Sequence, residues 1–197
     1  MQQEPTSEPP APPSHRSGTV PDGIEIVPIG ELPRDLLERI ASGLRVALGC
    51  QVSLAALQPT PQAAYQSNRG QYNASMILNA IRPSVWKRGW KRLGILNVDI
   101  FSGGLNFVFG QADLSGATAV ISLARLTNEF YGVGHDDGLL VERAVKEAVH
   151  EIGHTLGLVH CRAECVMYFS NSLLDTDKKP GAFCAGCRAR LAAGRTS

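Results

Sequence analysis

Apolar positions alternate between two spacings along the chain, and the spacing changes mark the elements. Residues 24–29 read as a strand. Pro33 then opens a helix in which Leu36, Leu37, Ile40, Leu44 and Leu48 share one face. Residues 52–57 read as a second strand, ended by Pro59 and Pro61. Residues 72–81 have a helical pattern that Pro83 stops. Residues 95–101 predict a strand. Residues 105–109 predict another, with Leu105, Phe107 and Phe109 on one face between glycines. Residues 117–124 form an unbroken apolar run of the buried-strand type. A long helix over 138–156 follows, with Val141, Val145, Ala148, Val149 and Ile152 as its apolar stripe and Asp136 or Asp137 as its N-cap. The pattern predicts an α/β (α+β) domain over residues 22–197, with an upper part over about 22–157 and a Cys-rich lower part over about 158–197. No repeat occurs at a solenoid period.

The head of the chain differs. Residues 1–21 hold six of the twelve prolines and no hydrophobic period, which predicts a disordered tail; a polyproline ligand is the other reading of that composition. The N-terminus lacks the basic and apolar regions of a secretory signal, and no apolar run is long enough to span a membrane. A cytoplasmic location is therefore expected. The 197 residues carry 19 Lys and Arg against 18 Asp and Glu, a net charge of +1, which argues against a general nucleic-acid or anionic-membrane binder.

Five histidines and five cysteines sharpen the picture, because most of them cluster. His150 and His154 are four apart on the long helix, so one metal ion can take both. Glu151 is adjacent and free to address a metal-activated water. His160 would be out of reach on a continued helix, but Gly157 tolerates the backbone conformation that turns the chain back. The three imidazoles then form a tripod with an open fourth position.

Cys161, Cys165, Cys184 and Cys187 follow as C-x3-C and C-x2-C, close to four-thiolate zinc spacing. Disulfides would need an oxidising compartment, and a zinc ribbon for nucleic acid would need more basic neighbours. Structural zinc is the preferred reading, with Cys50 left over as a buried thiol. Such a site would staple the segment that carries His160 and Met167.

The run from His150 to Cys161, with Cys165-Val166-Met167 and the later cysteine pair, resembles the archaemetzincins, zinc metalloproteases of the metzincin clan. Arg69-Gly70-Gln71-Tyr72 and Leu105 to Ala112 also resemble segments of that family. The gaps within the first cysteine pair and between Met167 and Cys184 are each one residue shorter than is usual there. The resemblance implies a twisted mixed sheet with packing helices, an active-site helix and a small zinc-stapled C-terminal subdomain. It implies a catalytic zinc on His150, His154 and His160, a second zinc on Cys161, Cys165, Cys184 and Cys187, and Cys165 to Met167 as the Met-turn. Peptidase activity on a peptide or protein substrate is implied as well. A monomer is expected, without nucleic-acid or membrane partners. A weakly active or inactive two-zinc peptide-binding protein of the same fold is the alternative.

Asn106, Phe107 and Val108 are expected on an edge strand, residues 106–110, that adds an extended peptide to the sheet. Residues 169–174 are expected to wall the pocket for the side chain after the scissile bond. Tyr168 is placed either near the metal or in the core. Residues 85–92 hold both tryptophans and four basic side chains, read as a solvated loop or helix rather than a nucleic-acid patch. Arg143 and Glu147, four apart, are expected to form a surface pair, and His15 and His135 to be exposed.

Overall fold

Strand β1 (Gly23–Ile29) leads into helix α1 (Arg34–Leu48) and strand β2 (Gln51–Leu54). Strands β3 (Tyr65–Gln66) and β4 (Gln71–Asn73), helix α2 (Ala74–Ala80), and strands β5 (Trp90–Leu96), β6 (Ile100–Phe101), β7 (Gly110–Ala112) and β8 (Thr118–Ser122) follow. Helices α3 (Asp137–Thr155), α4 (Leu173–Lys178) and α5 (Ala185–Ala193) complete the order. The computed structural model describes residues 20–83, 85 and 87–193, so the predicted tail lies outside the described residues as far as 19. Val20 and Pro21 are placed, with Pro21 buried.

The main sheet has the order β2-β1-β5-β8-β7. Its first four strands are parallel, and β7 runs antiparallel to β8 at the edge. Both faces are covered, so alternate residues of one strand enter different cores. Ile24, Ile26, Leu93, Ile95, Ala119 and Ile121 face α1 and α3. Val27, Ile29, Leu96 and Val120 face α2. Strands β3, β4 and β6 form a second, small sheet.

Several expected boundaries move, each for a physical reason. The helix expected from residue 72 starts at Ala74, because Tyr72 and Asn73 pair with β6 and Asn73 accepts the Ser75 and Met76 amides as N-cap. The strand expected over 95–101 is two strands, β5 and β6, on different sheets. The basic tryptophan segment is in part central strand: β5 begins at Trp90. Trp90 covers Gly23, Lys91 Nζ donates to the Gly116 and Thr155 carbonyls, and Arg92 pairs with Glu25. Trp86 lies outside the described residues.

The edge strand is the main correction. Residues 105–109 are not a strand; the edge is β7, Gly110–Ala112. The carbonyls of Leu105 and Asn106 accept from the Arg69 guanidinium at 3.0 Å each, and Gln71 Nε2 donates to Asn106 at 2.9 Å. The Phe107 and Phe109 rings meet edge to face at 5.2 Å, while the backbone beside them makes only single bonds to the sheets, Val108 N–H donating to Ile100 O and Phe109 O accepting from Ser122 N–H. The two segments singled out in sequence, 69–72 and 105–112, therefore touch.

Candidate metal centre

Helix α3 starts where Asp136 Oδ1 accepts the Leu139 amide at 2.9 Å. Leu140, Ala144, Ala148, Val149 and Ile152 bury its apolar side. A second buried stripe on the same helix is polar: Arg143, Glu147, His150 and Glu151. The helix ends in a Schellman turn: Leu158 N–H donates to Gly153 O and Gly157 N–H to His154 O, with Gly157 at φ +91°. That reversal brings His160 back beside the helix.

The ligand atoms of His150, His154 and His160 lie within 4.8 Å of one another, and the Nε2 atoms of His150 and His154 are 3.1 Å apart. His150 Nδ1 is 2.8 Å from Val166 O, and His154 Nδ1 is 2.7 Å from Leu158 O. A carbonyl only accepts, so each Nδ1 carries the proton. In the neutral rings each Nε2 is then a bare lone pair. Burial pushes His150 down to about 2, with the Lys179 charge acting in the same direction. Burial also lowers His154 and His160. Two lone pairs at this distance need a cation between them. Zinc–nitrogen bonds of about 2.0–2.1 Å in a tetrahedron put neighbouring nitrogens about 3.3 Å apart, so the donor set fits.

Glu151 is buried, and its side chain lies against the edge strand where Gly110 leaves room for it. A Cβ on Gly110 would come within 2.6 Å of Glu151 Cγ. Burial raises the Glu151 carboxyl well above the usual range, and the Glu147 carboxylate one turn back adds to this. A cation on the tripod acts in the opposite sense. The cleft, of about 370 Å³, is lined by the three histidines, Glu147 and Glu151 together with Phe107, Val108, Phe109, Gly110, Leu114, Val159, Phe169 and Ser170. Asn106 is not among its lining residues. Tyr168 is exposed and does not line it either, whereas the Phe169 ring sits 4.7 Å from His160.

The four cysteines form the second group. Their sulfurs lie within 4.8 Å of one another, with Cys161 and Cys184 3.9 Å apart. Zinc–sulfur bonds of about 2.3 Å in a tetrahedron imply about 3.8 Å, so a closed four-thiolate site fits. All five cysteines are free, which leaves no disulfide pairing; Cys50 is half-buried, and burial pushes its thiol up. The Cys187 amide holds Cys184 down to about 7, and burial pushes Cys187 up.

The two groups meet at the turn holding Met167. Tyr168 N–H donates to Cys165 O and Cys161 N–H to Met167 O, both at 2.9 Å. Met167 is fully buried against α3, where a Cβ on Gly153 would fall 2.4 Å from its sulfur. The Val166 carbonyl between the cysteine and the methionine is the one that orients His150.

Arg143 and Glu147 do not form the expected surface pair. Both are buried and point to the C-terminal segment. Arg143 forks onto Asp177 at 2.6 and 2.9 Å, and Glu147 Oε1 accepts from Thr176 Oγ1 at 2.7 Å and lies 2.9 Å from Lys179 Nζ. The stripe 143-147-150-151-154 has helical spacing. Charged residues extending a histidine motif along one face were the signal that this face is inner. His135 is exposed as expected, but pairs with Glu129 and Asp137.

Comparison with known proteins bears on this geometry. The sequence model described as Peptidase family M54 matches residues 43–193. An archaemetzincin of Pyrococcus furiosus is 42% identical over 179 residues, covering 86% of this chain and 92% of that protein. The crystal structure of an archaemetzincin from Archaeoglobus fulgidus complexed with malonate superposes with a TM-score of 0.76 at 40% identity, over 85% of this chain and 99% of that one. A zinc-dependent peptidase from Methanocorpusculum labreanum gives a TM-score of 0.77 at 31% identity, over 85% and 99%.

Proposed function

We propose, because the chain belongs to peptidase family M54, the archaemetzincins, and is a metalloprotease, that it cleaves peptide bonds in the cleft between β7 and α3 with Glu151 as general base. His150, His154 and His160 would hold the catalytic zinc. Cys161, Cys165, Cys184 and Cys187 would hold a second one that is coordinatively full and structural. Zinc on the tripod supplies Lewis-acid polarisation of the scissile carbonyl and acidifies water toward a pKa of about 7.

The chain's own residues do the rest. The free edge of β7 takes the peptide as an added antiparallel strand, with Phe107 and Val108 on the rim. Glu151, wedged against Gly110, faces the point where this strand passes the tripod, so it accepts the proton of the attacking water and returns it to the leaving amine. The Val166 and Leu158 carbonyls fix the tautomers of His150 and His154. Met167 floors the histidines as packing, not as a ligand.

The observation that carries this reading is one buried carboxylate placed between three convergent imidazoles and a sheet edge. In Glu151→Gln, metal analysis should still find both ions, while cleavage of a mixed peptide library falls by about 10²- to 10⁴-fold. Cleavage that survives the substitution would overturn the assignment.

A further inference from the structure

Glu147 has no part in the mechanism above, yet it lines the cleft one helical turn from Glu151, in contact with Ser170. It is 3% exposed. Its side-chain hydrogen bonds fall on one oxygen: Oε1 accepts from Thr176 Oγ1 at 2.7 Å and Ser170 Oγ at 3.3 Å, and Lys179 Nζ lies 2.9 Å from the same atom. Oε2 accepts neither hydrogen bond. Among the described residues Lys179 Nζ is the one fully buried side-chain nitrogen or oxygen without a hydrogen bond, so Oε2, which accepts none either, keeps some exposure. The open space beside Glu147 is the cleft.

We propose that Glu147 Oε2 is a specificity-determining acceptor, selecting glutamine or asparagine as the residue that follows the scissile bond. The proposal rests on the peptidase reading and deepens it. Three facts choose the ligand chemistry. A carboxylate oxygen repels an acidic side chain and is left desolvated and unpaired by an aliphatic one. The Lys179 ammonium already neutralises the carboxylate, so a lysine or arginine would add an uncompensated charge beside a metal centre that is itself cationic. A neutral amide brings N–H donors without charge, and the Phe107 and Phe169 rings accept its methylene stem. The carboxylate is held for this task from behind: Ser170, Thr176 and Lys179 all belong to the segment running through α4.

Peptides that differ only at that residue, as Gln, Leu, Lys or Glu, test it. Gln should exceed Leu in kcat/KM by about 10- to 100-fold, the range for a hydrogen bond to a charged group. In the double variant Glu147→Leu/Lys179→Met, which removes both buried charges together, the ratio should fall to about one or reverse. The same peptides titrated by fluorescence anisotropy against Glu151→Gln should bind in the same order without turnover. A wild-type preference for Leu, no preference, or a ratio that persists in the double variant overturns the proposal. If no peptide is cut, the peptidase reading fails, and the anisotropy order still decides for or against Glu147.

Discussion

Residues 150–160 supply the histidine group, two of its members from one helix and the third from the turn that ends it. Residues 161–187 supply the cysteine group, from a loop and from the start of α5. The first group is nearly made by local geometry: helical spacing sets His150 beside His154, and one glycine returns His160. The second closes a long excursion that contains α4, so an ion there would hold distant parts of the chain together. The first is open, with His160 exposed at a cleft, and its ligands are neutral. The second has two buried cysteines and four ligands that can be thiolates, so it has nothing left to offer a substrate. On the proposed reading, adjacent residues, His160 and Cys161, would serve unlike purposes: chemistry on one side of a peptide bond, bracing on the other.

Substitutions separate the two groups. His154→Ala should have the largest effect, taking cleavage to background and the metal content from two ions per chain to one, with the thermal melt still cooperative. A fully active His154→Ala would break the division of labour. Cys184→Ser comes next. Its effect should travel through Val166 to His150, weakening tripod metal affinity by about 10- to 100-fold in a chelator competition. If the affinity is unchanged, the thiolate group is not a brace for the tripod. Gly153→Ala puts a methyl where the Met167 sulfur lies and should cost about 1–3 kcal/mol in denaturant unfolding, with the metal count retained.

The smallest effect is expected away from both groups, at His135. Its pKa is raised by the hydrogen bond to Glu129, and that of Glu129 is lowered by the same bond. A raised histidine stabilises fully below its ordinary value of 6.5 and loses this as pH rises through its folded value. A lowered carboxyl stabilises above 4.5 and loses this as pH falls through its folded value. The contributions overlap in mild acid. His135→Gln should lower the melting temperature slightly near about pH 5.5 and not near about pH 9, because the pair is exposed. A loss of equal size at both pH values would show that the pair is not what is being measured.

The legible parts of the molecule were those whose logic is short in sequence. The histidine group, each half of the cysteine quartet and the Asp136 cap depend on residues a few positions apart. Strand β8 announced itself by an unbroken apolar run and helix α1 by its period. What did not show depends on partners far along the chain. Arg143 finds Asp177 and Glu147 finds Lys179 from a segment with no strong period of its own, so a helix pair at i, i+4 was the nearest pattern to read. The edge strand was misplaced because Phe107 and Phe109 alternate like a strand, while Arg69 and Gln71 take the carbonyls a strand would use. Gly110 gave no sign that it makes room for Glu151; only the packed structure shows what its missing side chain would meet.

Val166 has its N–H on the Ala182 carbonyl, at 3.0 Å, and its carbonyl on His150. One residue is therefore clamped by the cysteine-bearing segment on one side and by the histidine-bearing helix on the other. Its amide is a natural spectroscopic reporter. Its hydrogen-exchange rate, followed during gradual chelation, should rise when the cysteine-bearing segment loosens, while the His150 ring reports on the tripod directly. The order of the two signals would tell an observer who cannot see activity which of the two centres had come apart first.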